Sequence, residues 1–320
     1  AAGIGCPTAC ETQVAHGTQL RLTAAADPSS EFVGWTVSGG GTPCAGTGAC
    51  VTTVTGPTSI VATFARNQSL EVTRSGNGNG TVTSAPTGIT CGADCSEQFP
   101  PASSVTLTAA PAADSTFVGW TGGGCAGTAP CTVVVSGATL VTAEFALKQY
   151  TLTVTKAGLG AGTVASTPAG INCGATCGAQ FNAGTVITLT ASPTAGSVFA
   201  GWSGGGCTGT ASCMVALAAA TTVTATFSPI LHTLTVLRSG AGGGTVVSSP
   251  AGISCGADCT EDFAQGAMVT LTATPNAGST FVGWSGGGCT GTGTCAPTMT
   301  AAATVTAMFT ATQVTLNIAV

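Results

Sequence analysis

Polar and apolar residues alternate along this chain in short runs, and the runs recur. The third recurrence is the plainest. Tyr150-Thr-Leu-Thr-Val154 alternates, a Gly-rich turn covers residues 158–162, and Thr163-Val-Ala-Ser166 alternates again. A period of two marks a strand with one buried face, and two such runs about a glycine turn predict a hairpin. Residues 168–171 and a loop closed by Cys173 and Cys177 then break the sheet, and a short extended piece ends in Phe181. Residues 185–190 follow, rich in β-branched side chains, then a turn at 193–196 and the run Ser197-Val-Phe-Ala-Gly-Trp202. After a second cysteine loop, residues 214–217 and 221–227 complete the copy. Six or so short strands at regular spacing predict an all-β sandwich or barrel. No stretch holds a helical period; residues 216–220 are too short and run into β-branched threonines.

The run ending in Trp202 is written four times: Phe32-Val-Gly-Trp35, Phe117-Val-Gly-Trp120, Phe199-Ala-Gly-Trp202 and Phe281-Val-Gly-Trp284. The tryptophans are 85, 82 and 82 residues apart. That period exceeds solenoid units and gives each copy room for its own core. The expected domains are residues 1–66, 67–147, 148–229 and 230–311, with 312–320 left over. All sixteen cysteines fall on the repeat. Each copy has a Cys-x3-Cys pair: Cys6 and Cys10, Cys91 and Cys95, Cys173 and Cys177, Cys255 and Cys259. Each also has a Cys-x5-Cys pair: Cys44 and Cys50, Cys125 and Cys131, Cys207 and Cys213, Cys289 and Cys295. Gly-flanked pairs in a nearly uncharged chain read as local disulfides formed in an oxidising compartment. The competing reading is a four-thiolate metal site in each repeat. The x5 spacing is atypical of zinc knuckles, and no Lys or Arg stands near these thiols.

Every phenylalanine sits at one of three repeat positions: the short piece after Cys-x3-Cys, the Phe-x-Gly-Trp run, and the last strand. Copy one departs only in carrying Val14 at the first position. With so few large side chains, Phe32, Trp35, Phe117, Trp120, Phe199, Trp202, Phe281 and Trp284 are expected in the cores. A carbohydrate-binding platform needs aromatics to spare, and only Tyr150 is spare.

Charged residues are 5% of the chain and the net charge is −5, with six basic residues in all. Six dispersed cations make no nucleic-acid footprint. No apolar run approaches the roughly 20 residues that span a bilayer. His16 and His232 occupy different repeat positions, no Gly-x-Ser-x-Gly lies between a strand and a helix, and the Gly204-Gly-Gly206 run does not precede a helix. The chain therefore offers no coherent catalytic site and no phosphate loop. Asp94 and Glu97 in copy two and Asp258, Glu261 and Asp262 in copy four have no counterparts in copy three, against a calcium site common to the copies. Asn67-Gln-Ser69 and Asn79-Gly-Thr81 match the N-glycosylation pattern. No cofactor or metal is expected.

The ordered set Leu-Thr-Val-Thr, Gly-Thr-Val, Pro-Ala-Gly-Ile-x-Cys-Gly-x-x-Cys, Val-Thr-Leu-Thr-Ala, Phe-x-Gly-Trp-Ser-Gly, Cys-x5-Cys and Val-Thr-Ala-x-Phe resembles the divergent internalin B-repeat family over essentially the whole chain. The resemblance implies tandem modules of secreted or surface-anchored bacterial proteins, with a stalk-like or adhesive role and no catalytic residues to carry over. The expected architecture is four disulfide-stapled β-sandwich or β-grasp-like modules, joined by short junctions into a semi-rigid rod. The expected function is a structural subunit of an extracellular filament, sheath or stalk. An adhesin or glycan-binding array is the alternative, with a surface glycan as partner.

The ends add one expectation. Ala2-Gly-Ile-Gly-Cys6 matches Thr87-Gly-Ile-Thr-Cys91, so copy one lacks the hairpin that opens the others. At the other end, Gln313, Val314, Thr315, Leu316, Asn317 and Ile318 match the first strand of a copy, Leu316 following Phe309 by seven residues as Leu152 follows Phe145. An orphan first strand and a module lacking one predict head-to-tail assembly of copies by strand donation. A window on a longer repeat chain is the other reading of the same two ends.

Overall fold

The alternating runs form strands, and their apolar faces meet as paired sheets. The structure is a computed structural model describing residues 5–8 and 10–316, with no helix among the described residues. The chain divides into two units, Ala1–Lys148 and Gln149–Val320. The first holds modules 1 and 2, the second modules 3 and 4.

Module 3 shows the plan. One sheet runs, in spatial order, Gly178–Asn182, Gln149–Ala157, Thr221–Pro229 and Ser197–Ser203; the other runs Gly162–Thr167, Val186–Pro193 and Cys213–Ala216. The module's first strand lies parallel to its last, Leu152 opposite Thr221 and Val154 opposite Val223. On its other side it is antiparallel to the short piece, Thr151 opposite Gln180. The opening hairpin therefore does not stay in one sheet. Its first arm is central in the mixed sheet, and its return arm, Gly162–Thr167, crosses to pair with Val186–Pro193 in the second sheet. Leu152 and Val154 from the first arm and Val164 from the return arm meet Ile187, Leu189, Val223 and Phe227 between the layers, all at most 3% exposed. Each such side chain contributes about 1.5–3 kcal/mol on burial.

Modules 2 and 4 repeat this arrangement, the first and last strands pairing parallel as Leu70 opposite Thr139 and Leu234 opposite Ala303. The segment entering the Cys-x3-Cys loop does not simply break the sheet there. Thr90–Cys91 and Ser254–Cys255 extend the second sheet as short antiparallel strands. In module 3 the matching Asn172 forms an isolated bridge to Ala165 instead, and in all three modules a serine on the return arm holds the intervening proline turn. Ser84 Oγ donates to the Pro86 carbonyl at 2.7 Å and accepts from the Ile89 N–H at 2.9 Å, and Ser166 and Ser248 do the same in their modules.

The Phe-x-Gly-Trp run is a strand with a bulge. Register slips between Phe199 and Gly201, and Gly201 has φ 144°. A Cβ at Gly201 would sit 3.1 Å from the Gly209 carbonyl oxygen, so the bulge and the close approach of the cysteine loop both call for glycine. Phe199 packs edge-on to Trp202, with centroids 4.8 Å apart, and against Phe227 at 5.3 Å. The Trp202 indole N–H donates to the Ala211 carbonyl at 2.7 Å and its backbone N–H to the Gly209 carbonyl at 2.8 Å. Trp202 thus fills the core and holds the loop between Cys207 and Cys213. Tyr150 packs against the same core.

All sixteen cysteines are paired locally. The x3 bridges join Cys6 to Cys10, Cys91 to Cys95, Cys173 to Cys177 and Cys255 to Cys259. The x5 bridges join Cys44 to Cys50, Cys125 to Cys131, Cys207 to Cys213 and Cys289 to Cys295. No thiol is left to ligate a metal, so the four-thiolate reading falls. The x3 bridge fixes a carbonyl that the hairpin uses: Val72, Val154 and Val236 donate their N–H groups to the carbonyls of Cys95, Cys177 and Cys259 at 2.7–2.8 Å. The x5 bridge anchors its loop to the second sheet through its later cysteine. Cys50, Cys131 and Cys213 stand opposite Leu22, Leu107 and Leu189 in antiparallel pairs. Cys295 exchanges both backbone hydrogen bonds with Leu271, the same position in module 4, as an isolated bridge rather than a strand. Cys295 is buried there, whereas Cys131 is only half-buried and packs at the margin of its core.

Two measurements check this packing. Trp202→Ala is expected to cost module 3 about 3–5 kcal/mol, as large-to-small core truncations do, and to appear in calorimetry as a lower transition belonging to that module alone. Peptide mapping under non-reducing conditions is expected to return eight short-loop bridges; a bridge between modules would contradict the fold.

Candidate functional site

Module 1 is built from the same residues without the hairpin, and the chain supplies its own comparison. Its described strands form one sheet of three, in the order Thr18–Leu22, Cys50–Arg66 and Ser30–Gly41. The strand Cys50–Arg66 is 17 residues long. Its first part pairs with Thr18–Leu22 and its second with Ser30–Gly41. In the other modules these two parts are separate segments in separate layers, wedged apart by the hairpin.

The consequence is an open cleft of about 1160 Å³, whose walls include Leu20, Leu22, Trp35, Ile60, Ala62 and Phe64. By register these match Ile187, Leu189, Trp202, Val223, Ala225 and Phe227 of module 3, all fully or nearly fully buried. In module 1 the first five are half-buried. Phe64 is 45% exposed, against 0% for Phe145, 1% for Phe227 and 0% for Phe309. Phe32 and Trp35, expected in a core, keep their mutual contact at 5.1 Å and the indole bond to Gly48 at 2.8 Å; Trp35 is half-buried where Trp120, Trp202 and Trp284 are buried, whereas Phe32 is half-buried just as Phe117, Phe199 and Phe281 are, which pack against their cores from the margin rather than inside them as expected. In modules 2, 3 and 4 the two hairpin arms cover the matching surface.

Two edges beside the cleft lack partners that exist elsewhere. In module 3, residues 221–226 of the last strand pair on one side with residues 152–157 of the first arm. Among the described residues, the matching residues 58–63 of module 1 pair only with Ser30–Gly41. In the second sheet, Val186–Pro193 pairs with the return arm, whereas Thr18–Leu22 pairs, among the described residues, with Cys50–Arg66 alone. The backbone groups on these edges are templates for strand addition.

At the far end of the chain, Thr312 donates its N–H to the Gly278 carbonyl at 2.8 Å, residues 313–316 continue beyond it outside any strand, and Val314 and Leu316 are 89% and 81% exposed. Gln313 and Thr315 are exposed with them; Asn317 and Ile318 lie outside the described residues. Elsewhere the polar residues have local tasks. Asp94 and Asp258 accept from the N–H groups of Ser96 and Thr260, and Asp262 accepts from the Thr233 hydroxyl at 2.6 Å. Asn67 donates to the Pro28 carbonyl, tying its side chain to module 1. Three of the six basic residues, Arg74, Lys156 and Arg238, clip the two hairpin arms together by donating to the carbonyls of Gly80, Gly162 and Gly244 at 2.8–3.2 Å. Among the described residues no group of three or more His, Cys, Asp or Glu is placed to hold a metal ion.

Residues 1–66 hold no counterpart of the hairpin, but the sequence does not show which side chains the hairpin covers in the other copies. Leu20, Leu22, Ile60 and Phe64 look like core positions because their copies are. The only signal in the sequence is that the partners of these positions, Leu152, Val154 and Val164 in module 3, have no equivalents in residues 1–66.

The profile of the divergent InlB B-repeat domain matches residues 1–68, 70–149, 150–231 and 234–313. Among curated protein sequences none matches. Solved structures similar to the chain include the TIE protein of Bacillus anthracis, at TM-score 0.46 and 9% identity over 82% of this chain and 55% of that one. The pilus adhesin SpaC of Lactobacillus rhamnosus GG, in its open conformation, is similar at TM-score 0.32 and 10% identity over 95% of this chain and 56% of that one. The chain thus spans little more than half the length of these two proteins.

The difference in burial has a direct test. Phe227→Ala is expected to cost about 3–5 kcal/mol. Phe64→Ala at the matching position is expected to cost roughly 1 kcal/mol or less, since the ring is already partly in water. Calorimetry of the two single variants reads both, and equal costs would mean that the cleft is closed in solution.

Proposed function

We propose that this chain, which belongs to the divergent InlB B-repeat family, is a non-enzymatic structural protein of the extracellular surface, a subunit of a filament, sheath or stalk whose copies join head to tail. Local disulfide pairing throughout suits an oxidising, extracellular location. The tandem modules commit their tryptophans and phenylalanines to their own cores, except in module 1.

The observation that carries the assembly reading is the open edge of module 1 together with a strand of matching register elsewhere in the chain. Leu152 and Val154 are the buried residues of a first arm, and Leu316 and Ile318 hold those positions in residues 313–318. Added parallel to Cys50–Arg66 in the register of module 3, Leu316 stands opposite Thr58 and Ile318 opposite Ile60. The Ile318 N–H then reaches the Cys10 carbonyl, as Val154 reaches Cys177. A strand added to an open edge gains main-chain hydrogen bonds for affinity and alternate side-chain pockets for specificity. A contact between unlike surfaces that does not close a ring extends into a filament.

One observation favours an adhesive reading: Trp35, half-buried, and Phe64, exposed, line the same cleft, and aromatic surface is what a glycan stacks upon. Deleting residues 313–320 separates the two. Head-to-tail donation predicts loss of filaments in electron micrographs, with the modules still folded. Filaments that persist would overturn donation, and glycan binding that survives the deletion but is lost in Trp35→Ala would establish the adhesin.

A further inference from the structure

The carboxylates of copies two and four that copy three lacks lie in or beside one strand, at the outer edge of the mixed sheet. That strand follows the Cys-x3-Cys loop: Ser96–Phe99 in module 2, Gly178–Asn182 in module 3 and Thr260–Ala264 in module 4. Among the described residues it pairs on one side only, with the first arm. The backbone groups of successive residues in a strand face opposite sides. Val154 donates its N–H to the Cys177 carbonyl, so Ala179 also faces the first arm, and the groups of Gly178 and Gln180 face outward. The matching outward groups belong to Ser96 and Gln98 in module 2 and to Thr260 and Asp262 in module 4.

In modules 2 and 4 a carboxylate caps each of these outward N–H groups. Asp94 Oδ1 accepts from Ser96 at 3.3 Å, and Glu97 Oε1 from Gln98 at 2.7 Å. Asp258 Oδ1 accepts from Thr260 and Glu261 Oε1 from Asp262, both at 3.2 Å. In module 3 the two capping positions hold Thr176 and Ala179, and among the described residues no side chain accepts from the N–H of Gly178 or Gln180. Charges placed on an edge strand are a way for a sheet to refuse a further strand. A strand approaching module 2 or 4 meets carboxylates where it needs donors. A strand approaching module 3 meets free donors on an uncharged run, Gly178-Ala-Gln-Phe-Asn182. The opposite edge of that sheet, Ser197–Ser203, is blunted by its bulge and by the cysteine loop, whose Gly209 carbonyl takes the Trp202 N–H.

We infer that the edge Gly178–Asn182 is a lateral contact between two copies of this chain, the edge strands pairing antiparallel about a twofold axis at Gln180. The strand is its own complement in this register. Gln180 stands opposite Gln180 of the second copy, and Gly178 opposite Asn182. The two Gln180 residues exchange backbone N–H and carbonyl bonds, and their exposed side-chain amides lie side by side, as in glutamine ladders. A contact of like surfaces closes at two copies. A second copy suits this edge because the strand brings no charge against itself, whereas the same pairing of module 2 or module 4 sets carboxylate against carboxylate. The strand is five residues long, so a single contact is weak, and copies joined end to end repeat it along their length. The pairing is independent of head-to-tail joining, since it uses neither module 1 nor residues 313–318.

The capping residues can be moved between modules to test this. The Glu97 and Glu261 side chains lie where a Cβ on Gly88 or Gly252 would stand, and module 3 keeps that glycine as Gly170. Thr176→Asp with Ala179→Glu therefore gives module 3 the edge that its neighbours already fold with. Sedimentation velocity and amide hydrogen exchange of the full chain, read over rising concentration, follow the contact. The unmodified chain is expected to associate, with the amides of Gly178 and Gln180 slowing as it does. The double variant is expected to weaken association by on the order of tenfold or more, with the calorimetric transition of module 3 still present. Asp94→Thr with Glu97→Ala is expected to open the edge of module 2 and to strengthen association. In electron micrographs the module 3 variant is expected to lose side-by-side contacts and keep any head-to-tail filaments, so the two modes of joining fail separately. Amides of Gly178 and Gln180 that exchange at one rate at every concentration would overturn the inference, as would association that the double variant leaves unchanged. An edge that takes no second copy but binds a labelled peptide of alternating threonine and valine would also overturn it, and would assign the edge to a strand of another protein.

Discussion

The structure depends on one insertion: a hairpin whose two arms part into different sheets. The first arm lies parallel to the module's last strand, and the return arm crosses to the opposite layer. A parallel pair needs a long crossover connection, and here the remainder of the module is that connection. The hairpin therefore closes both sheets at once and brings together residues about seventy positions apart in sequence, such as Leu152 and Thr221. The x3 disulfide, the serine-held proline turn and the basic clip between the arms all act on this element. Module 1 shows the fold without it. Two strands become one, two sheets become one, and a core becomes a cleft.

The all-β class, the fourfold repeat and the family were legible in the sequence because each rests on local signals: a period of two, a recurring Phe-x-Gly-Trp, cysteines at fixed spacing. The parting of the hairpin was not legible. Alternation in residues 150–154 and 163–166 states which side chains are buried but not which strand lies beside them. Gly162 reads as the end of a glycine turn, yet the structure ties it to the ring of Phe227, sixty-five residues away. Arg74, Lys156 and Arg238 read as scattered charges and prove to bridge the arms. The spacing from Cys289 to Cys295 announces a bridge, but not that Cys295 takes the place of a strand beside Leu271. Trp35 reads as core because Trp202 is core; its half-burial follows from the absence of a neighbour, which no residue at position 35 can announce.

The composition makes sense for modules of this size at a cell surface. Cores of about fifteen buried residues each hold modules of some eighty residues. Such small cores leave limited stability, and short-loop disulfides add to it, chiefly by constraining the unfolded chain. Threonine recurs at the outward positions of the strands, and charges are few.

The central claim is that the opening hairpin is what closes the two sheets of a module over one core. Amide hydrogen exchange across residues 58–63, read beside the matching residues of modules 3 and 4, tests it most directly. Alternate amides of this segment should exchange quickly while those of residues 221–226 and 303–308 remain protected, because among the described residues no first arm lies beside residues 58–63. Exchange reports such local differences in strand protection directly. Protection of residues 58–63 equal to that of residues 221–226 would contradict the account.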